Sequence, residues 1–295
     1  MTHAIKQIWS QMSKLIHMRS RIKTIETIKK VTDAMRIISM SAHSRLKVKQ
    51  EPLSNYIHTL TTLLAKVQQA TPSWTHERLM PTSTHDHNPL IIFIGSQKGL
   101  CGSFNTQLSH FFSQYLNQKK MQHYHCAAIG KKAADFLSTN YPDAVVSIFP
   151  ILTASNFLTI AQQLTDQITS TLPIYTSVTI VSTVFKNFFV QKPILTHLIP
   201  FNPQHVTIHT QPQIEEYIWD EKPHIILDKL AMHYIETQLQ HLIFQSLLSE
   251  HAARFISMDN STRNAINLLD ETKREYNKLR QAKITTEIAE LTGSF

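Results

Sequence analysis

A glycine-rich segment is the part of this 295-residue chain whose residues point most directly to chemistry. Residues 95–102 read GSQKGLCG and follow the apolar run PLIIFI, which is typical of a buried strand. A glycine-rich turn between a strand and a helix often binds phosphate. This one matches neither GxxxxGK(S/T) nor GxGxxG, because Lys98 precedes Gly99 and no hydroxyl is placed to hold magnesium. We therefore interpret it as a tight turn with positive-φ positions and keep nucleotide binding as an alternative.

Cysteine and histidine supply two further candidates. Cys101 lies in the glycine-rich turn without a nearby histidine to activate it, so we predict a structural thiol. His123, His125 and Cys126 suggest a metal site, but on a strand the two histidines share one face and Cys126 points to the other. The two cysteines form no CxxC pair, which indicates free thiols in a reducing compartment. We expect no catalytic residue, no cofactor and no metal, and hence no enzyme activity of the chain by itself.

The net charge of +8 is concentrated at one end of the chain. Residues 1–50 contain eleven Lys and Arg against Glu26 and Asp33, a balance of +9. A basic helix of this kind is typical of a solvated face, or of a surface that binds nucleic acid, anionic lipid or an acidic protein. No apolar run reaches the ~18 residues of a membrane span, and the polar start lacks the apolar core of a secretory signal. We expect neither.

Both ends of the chain lack the residues that interrupt helices. Residues 1–51 and 224–292 contain neither proline nor glycine, which predicts two long helices. Apolar residues at intervals of three and four predict that these helices pair as an antiparallel coiled coil. The predicted seam positions are Ile22, Ile25, Ile28, Val31, Met35, Ile38 and Ala42 in the first helix, and Leu227, Ala231, Ile235, Leu239, Leu242, Leu269, Tyr276, Leu279, Ile284, Ile288 and Leu291 in the second. The pattern lapses at residues 257–264 (SMDNSTRN), which predicts a stutter or a contact with something else.

Between the two ends, candidate strands alternate with candidate helices. Apolar runs predict strands at 89–95, 124–130, 144–149 and 177–183, and helical periodicity is present at 105–116 and 154–169. This alternation predicts an α/β fold with a mainly parallel, Rossmann-like sheet. The expected organisation is a terminal helix at 1–60, a helix end and loop at 61–88, the central α/β domain at 89–223, and a terminal helix at 224–295 that pairs with the first.

Four segments, in order along the chain, follow the pattern of one family. They are RIKTIETIKKVTDAMRI at 21–37, GSQKGLCGSFN at 95–105, IVSTVFKNFFVQKPILTHLIPF at 180–201 and EHAARFISMDNSTRNAINLLDETKREYNKLRQAKITTEIAEL at 250–291. Together they resemble the gamma subunit of F-type ATP synthase over about residues 19–292. The C-terminal segment is the most specific of the four.

The resemblance implies a function that composition does not supply. The gamma subunit is the non-catalytic central shaft of a rotary machine, with its coiled coil inside a ring of alpha and beta subunits and its base on the epsilon subunit and the membrane c-ring. The chain would couple ion-driven rotation to ATP synthesis. It would be peripheral to the cytoplasmic face of the bacterial inner membrane rather than mitochondrial, and would meet the membrane only through the complex. From the charge alone, the alternative is a basic coiled-coil protein that binds nucleic acid or serves as a scaffold.

The resemblance also implies a set of subunit-interface residues. Met35 matches the methionine of the N-terminal helix that contacts the beta subunit, and Arg254 matches an arginine linked to coupling. Polar positions near the C-terminal end of the shaft are matched by Arg280, Gln281, Thr285 and Glu287. From their spacing alone, Met35 is a seam residue, and Arg280 and Gln281 are ordinary solvated residues.

Two departures from the family pattern bear on local contacts. Asp33 stands where the family usually has a basic residue, which predicts a weaker contact at that position. Gln97 and Lys98 replace the usual Asp-Arg in the glycine-rich turn.

Overall fold

One long helix precedes and another follows a five-stranded sheet along the chain in the computed structural model, which describes residues 2–71, 73–76, 79–81, 88–121, 123–170, 175–201 and 220–292. The elements in chain order are α1 Thr2–Ala70, β1 Pro89–Ile94, α2 Phe104–Lys119, β2 His125–Ile129, α3 Lys131–Asn140, β3 Val145–Phe149, α4 Phe157–Ser170, β4 Ser177–Asn187, β5 Val190–Ile199 and α5 Pro223–Thr292. The predicted α/β fold with long terminal helices is confirmed. Over the described ranges, no helix combines the length and apolar character needed to cross a bilayer.

α1 continues through Pro52 and ends at Ala70. A proline inside a helix removes one backbone hydrogen bond and costs about 3 kcal/mol. The turns that follow bury Leu64 and Val67 completely in the core of the sheet domain. Burial of these side chains contributes about 1.5–3 kcal/mol each, which is enough to carry the helix past the proline.

The sheet has the strand order β3-β2-β1-β4-β5. β1 pairs in parallel with both β2 and β4, β2 pairs in parallel with β3, and β5 runs antiparallel to β4. Every residue of the central strand β1 is buried, as expected for a parallel strand that is covered on both faces. The predicted mainly parallel sheet is therefore confirmed.

Two apolar layers cover the sheet. On one face, residues of α1, α4 and α5 pack against β1 and β4. On the other face, α2 and α3 cover Ile91 and Phe93, and Phe93 lies 5.0 Å from Phe112 between ring centroids. Because both faces are covered, β1 is buried throughout and β2 is buried from Cys126 to Ile129.

Two elements were not among those predicted from apolar runs and helical periodicity. α3 is a short helix of ten residues and buries only Ala133 and Leu137. β5 contains Pro193, which an edge strand tolerates because one side of its backbone needs no ladder partner. The hairpin between β4 and β5 is held by Asn187, whose Oδ1 accepts the N–H groups of Phe189 and Val190 at 3.0 and 2.9 Å.

The chain divides into two compact units: Met1–Met40 with Arg254–Phe295, and Ser41–Ala253. The first unit is an all-helical pair and the second contains the sheet. The expected domain limits at 60, 88 and 223 remain predictions, and parts of the segments 61–88 and 89–223 lie outside the described residues.

Candidate interaction surface of the paired helices

The glycine-rich turn between β1 and α2 is closed by its own side chains. Asn105 Nδ2 donates to Ser96 Oγ at 2.8 Å and to Cys101 Sγ at 3.1 Å. The Gln97 N–H donates to Glu250 Oε2 at 3.0 Å, and Glu250 is 3% exposed. A buried carboxylate therefore holds an N–H that a phosphate would need, and its charge would repel an anion. This geometry favours a structural turn over a nucleotide site.

The backbone of the turn explains its glycines only in part. Positive φ angles occur at Leu100 (62°) and Gly102 (58°). Gly95 is required for a different reason, because an added Cβ would lie 2.8 Å from the backbone nitrogen of Ala133. This close approach lets the end of β1 lie against the start of α3.

Neither cysteine is placed for catalysis. Cys101 and Cys126 are both buried and form no disulfide, and burial raises the pKa of the Cys126 thiol to about 12. His123 is exposed and precedes β2, whereas His125 belongs to that strand. Within the described ranges, no group of three His, Cys, Asp or Glu side chains could hold a metal ion.

The first compact unit offers a different kind of site, a surface formed by two paired helices. We call the pair formed by α1 up to Met40 and α5 from Arg254 the helix pair. Three of its cross-helix contacts are Arg19 Nε to Tyr276 Oη at 2.7 Å, Lys273 Nζ to Glu26 Oε1 at 3.0 Å and Thr262 Oγ1 to Thr32 Oγ1 at 2.9 Å. Residue numbers rise along α1 while those of the partners fall along α5. The predicted antiparallel pairing is therefore confirmed.

The buried positions of the helix pair follow a seven-residue repeat. On α1 they are Met18, Ile25, Thr32 and Ser39, and on α5 they are Met258, Thr262, Ala265, Leu269 and Thr272, while Arg254 is buried outside this repeat. Among the described side chains of the pair, only one apolar cluster forms, from Ile25, Ala265 and Leu269 with Ile22 packed against it. The seam is thus regular in spacing but mixed in composition, with threonine and serine at nearly half of its buried positions.

Part of the predicted seam is wrong. Ile28, Val31 and Ile38 are 49%, 53% and 58% exposed; we call these three residues the outer apolar stripe. Three residues advance about 300° around a helix, which is about 60° short of a full turn. After the three successive three-residue steps from Ile22 to Val31, the side chain therefore points about half a turn away from the direction of Ile22. On α5, Ile284 and Ile288 are also exposed, at 46% and 56%.

The polar segment 257–264 belongs to the seam. Met258 is 2% exposed, Thr262 donates to Thr32, and the Asp259 carboxylate lies 3.5 Å from Arg36 Nη1. The segment packs against α1, and the buried positions Arg254, Met258 and Thr262 follow one another at steps of four residues. The expected stutter and the expected contact with something other than α1 both remain predictions.

The interface residues implied by the family resemblance all lie in the helix pair, but not in one environment. Met35 is half-buried, and Arg254 is 3% exposed rather than on the surface. The exposed members near the end of α5 are Arg280, Gln281, Thr285 and Glu287. Thr285 Oγ1 donates to the Gln281 carbonyl at 3.0 Å, and Lys283 Nζ lies 3.4 Å from Glu287 Oε1. Both of these contacts lie within α5, so the charged and amide groups of these residues remain at the surface, where another protein could contact them.

Sequence reasoning missed the buried polar positions Thr32, Ser39 and Thr262. A search for a strict seven-residue spacing, without regard to polarity, would have found 18, 25, 32 and 39 as one series. The search for apolar side chains instead followed the exposed stripe.

Comparisons with known proteins match nearly the whole chain to one family. The family described as ATP synthase matches residues 14–295. The ATP synthase gamma chain of Flavobacterium psychrophilum is 30% identical over 96% of this chain and 98% of that protein. The ATP synthase gamma chain of Verminephrobacter eiseniae is 27% identical over 93% of this chain and 95% of its own length.

Solved structures share the fold. A chain of the Euglena gracilis mitochondrial ATP synthase OSCP/F1/c-ring structure in rotational state 3 superposes with a TM-score of 0.68 at 16% identity, covering 96% of this chain and 93% of its own. A chain of the rotor structure from the same enzyme gives 0.63 at 17% identity, covering 92% and 99%.

Proposed function

Because the chain belongs to the gamma-chain family of F-type ATP synthases, we propose that it is the non-catalytic central-stalk subunit of such an enzyme. It couples ion-driven rotation of the rotor to ATP synthesis in the ring of alpha and beta subunits. Its further partners are the epsilon subunit and the membrane c-ring. The chain performs no chemistry itself and needs no cofactor.

The outer apolar stripe is the observation that carries this proposal at the level of residues. Ile28, Val31 and Ile38 are each about half exposed, on a pair whose own seam buries polar residues beside apolar ones. Covering apolar surface contributes roughly 25 cal/mol per Å². An apolar face that a helix pair leaves uncovered is typical of a protein contact surface, and a surrounding ring of subunits would cover it.

A rotating shaft acts on the ring by contacting its subunits unequally. A shaft can change the conformational populations of a beta subunit only if it binds one conformation better than another. The helix pair carries apolar side chains on one side of α1 and exposed polar residues, including Arg280 and Gln281, near the end of α5. This asymmetry supports a coupling role, because each beta subunit would meet a different face at each rotational position.

The proposed location is peripheral, at the cytoplasmic face of a bacterial inner membrane. The two gamma chains compared above by sequence identity come from bacteria, which supports this location. The chain would reach the membrane only through the rotor.

Assembly is the direct test of the proposed function. We expect the purified chain to assemble with its own alpha and beta subunits into a complex that hydrolyses ATP. Alpha and beta subunits incubated without the chain are the control. A failure to assemble, or a complex with the activity of the control, would contradict the proposal.

A pair of substitutions tests the outer apolar stripe within that assembly. Ile38→Asp places a charge at the proposed contact and should weaken assembly at least about tenfold, since a desolvated charge costs more than ~1.4 kcal/mol. Val48→Asp is the matched control, because Val48 lies on the same helix at 77% exposure and outside the stripe. Equal affinities for both variants would remove the stripe from the proposed interface.

The six residues implied by the family resemblance remain proposed interface positions, and two of them can be separated by burial. Gln281→Ala removes an exposed side chain and should change the free energy of unfolding by less than ~0.5 kcal/mol while lowering ATP-driven ion pumping relative to ATP hydrolysis. Arg254→Ala removes a side chain that is 3% exposed and should cost about 2–4 kcal/mol as well. Wild-type pumping at wild-type hydrolysis in Gln281→Ala would contradict its proposed role.

A further inference from the structure

Over residues 29–39, α1 turns polar side chains toward α5 and apolar side chains away from it. Thr32 and Ser39 are 9% and 1% exposed, whereas the outer apolar stripe is about half exposed. Turning α1 by one residue position, about 100°, would exchange Thr32 for Val31 and Ser39 for Ile38 in the seam. Over residues 29–39 hydrophobic burial favours that exchange, whereas at Met18 and Ile25 the same turn would expose apolar side chains. Because burial along the whole helix does not choose between the two positions, the polar contacts of this stretch are left to set the rotational position.

Four charged side chains of alternating sign cross the helix pair at this level. We call Asp33, Arg36, Asp259 and Arg263 the charge chain. Arg36 donates to Asp33 Oδ1 through Nε at 3.1 Å and through Nη2 at 2.8 Å. Its Nη1 lies 3.5 Å from Asp259 Oδ1, and Arg263 Nε lies 3.0 Å from Asp259 Oδ2. One arginine thus engages carboxylates on both helices.

The inner members of the charge chain are the better shielded from water. The side chains of Arg36 and Asp259 are 34% and 23% exposed, compared with 43% for Asp33 and 74% for Arg263. Charges that are partly buried are screened less by salt than charges in open solvent. The outer two residues orient the inner two, and the hydrogen bond between Thr32 and Thr262 lies beside them.

We propose that the charge chain sets the rotational position of α1 against α5, with Arg36 and Asp259 as positioning residues that keep the outer apolar stripe turned outward. The guanidinium group is planar and its donor directions are fixed. Arg36 can therefore meet Asp33 and Asp259 together only within a narrow range of helix rotation. Asp33, which stands where a basic residue is usual, has the role of holding Arg36 in that direction.

Thiol labelling of the full-length chain tests this proposal through two reporter positions. Val31→Cys places a thiol on the exposed side of α1, and Ser39→Cys places one in the seam with little change in volume. With the charge chain intact, a maleimide should label position 31 quickly and position 39 slowly. The unmodified chain, whose Cys101 and Cys126 are buried, supplies the background rate. In Arg36→Met or Asp259→Asn, labelling at 39 should rise and labelling at 31 should fall, each by about tenfold or more.

The controls distinguish a rotation of α1 from a general loss of structure and from the loss of one positive charge. Lys30→Met removes one positive charge from an exposed position on the same helix and should leave both rates unchanged. Asp33→Asn is a milder variant that should shift both rates in the same directions but less. Labelling in 1 M salt weakens the charge chain without a mutation, and it should move both rates in the same directions as Arg36→Met but by less, because the inner charges are partly shielded from the salt.

Two results would overturn the proposal. If both rates are unchanged in Arg36→Met and Asp259→Asn, the charge chain does not set the rotation. If both positions become fast, it holds the helices together without choosing a rotational position. Opposite changes at 31 and 39 support the proposal whether or not the chain assembles with alpha and beta subunits.

Discussion

His43 shows how a single titratable side chain is held in the sheet-containing unit. It is 5% exposed, and its Nδ1 lies 3.3 Å from the Leu248 carbonyl oxygen. Because a carbonyl oxygen only accepts, Nδ1 is the nitrogen that carries the proton. The rings of Phe185 and Phe188 lie 5.2 and 5.0 Å from the imidazole between centroids. Burial lowers the pKa of His43, the hydrogen bond to Leu248 raises it, and the positive charge of Lys47 lowers it, with burial the largest effect.

The lowered pKa predicts a loss of stability in mild acid. Since the pKa of His43 is lower in the folded chain than its unfolded value of about 6.5, its contribution is complete above about pH 6.5 and is lost as the pH falls toward the folded value. The slope is at most ~1.4 kcal/mol per pH unit for one proton. Burial lowers the pKa of His241 too, so the two histidines act in the same direction.

Urea denaturation at pH 7.5 and pH 5.5 measures this effect. His43→Gln should reduce the difference in unfolding free energy between the two pH values. His58→Gln is the matched control on the same helix, where the side chain is exposed, and should keep the wild-type difference. An unchanged difference in His43→Gln would assign the pH dependence to other groups.

At the scale of elements, the helix pair is unusual because its seam and its apolar face are different surfaces. The buried series on α1 contains two apolar residues, Met18 and Ile25, and two polar ones, Thr32 and Ser39. In a coiled coil, polar residues at buried positions select one alignment of the helices at a cost in stability. The pair therefore gains specificity from its seam and leaves much of its apolar surface for other contacts.

Two isoleucines one turn apart on α1 test which face is buried. Ile25 is 4% exposed and packs with Ala265 and Leu269, whereas Ile28 is 49% exposed. Ile25→Ala should lower the free energy of unfolding of the isolated chain by about 2 kcal/mol or more, and Ile28→Ala by less than ~0.5 kcal/mol. Thermal melting of the two variants measures the difference. Equal losses would mean that α1 presents its predicted stripe, not the observed series, to α5.

At the scale of the whole molecule, the two compact units are stabilised in different ways. The unit containing the sheet has apolar layers on both faces of the sheet, with β1 buried throughout. The described part of the helix pair has a single small apolar cluster and several polar contacts. Regions with few buried apolar contacts open more readily, so the helix pair should be the less protected unit in isolation.

Hydrogen exchange should show this difference and its removal on assembly. In the isolated chain, amides of residues 16–40 should exchange faster than those of β1. Assembly with alpha and beta subunits should slow exchange in the helix pair by about tenfold or more, because binding to the folded state stabilises it. The amides of β1 serve as the internal control. Unchanged protection of residues 16–40 in the complex would contradict the proposed contact.

The sequence by itself determined most of the secondary structure and the fold class. Absence of proline and glycine at both ends predicted long helices, and short apolar runs predicted four of the five strands, because both signals come from local backbone preferences and burial on two faces. These signals did not predict α3, which is short and buries only two side chains, or β5, which is an edge strand that contains Pro193. The segments from 21–37 to 250–291 indicated the family, and the matches across residues 14–295 agree with that assignment.

Only the tertiary structure decided which face of α1 meets α5 and where the interface residues lie. Spacing of apolar residues marks a face that some protein must cover, but it does not identify that protein. For Ile28, Val31 and Ile38 the covering surface is not α5, and Arg254 is buried rather than exposed. The deciding contacts, such as Arg36 to Asp259 and Thr32 to Thr262, join residues more than 200 positions apart. Their energies depend on side-chain geometry across two helices, which no local pattern in either helix contains.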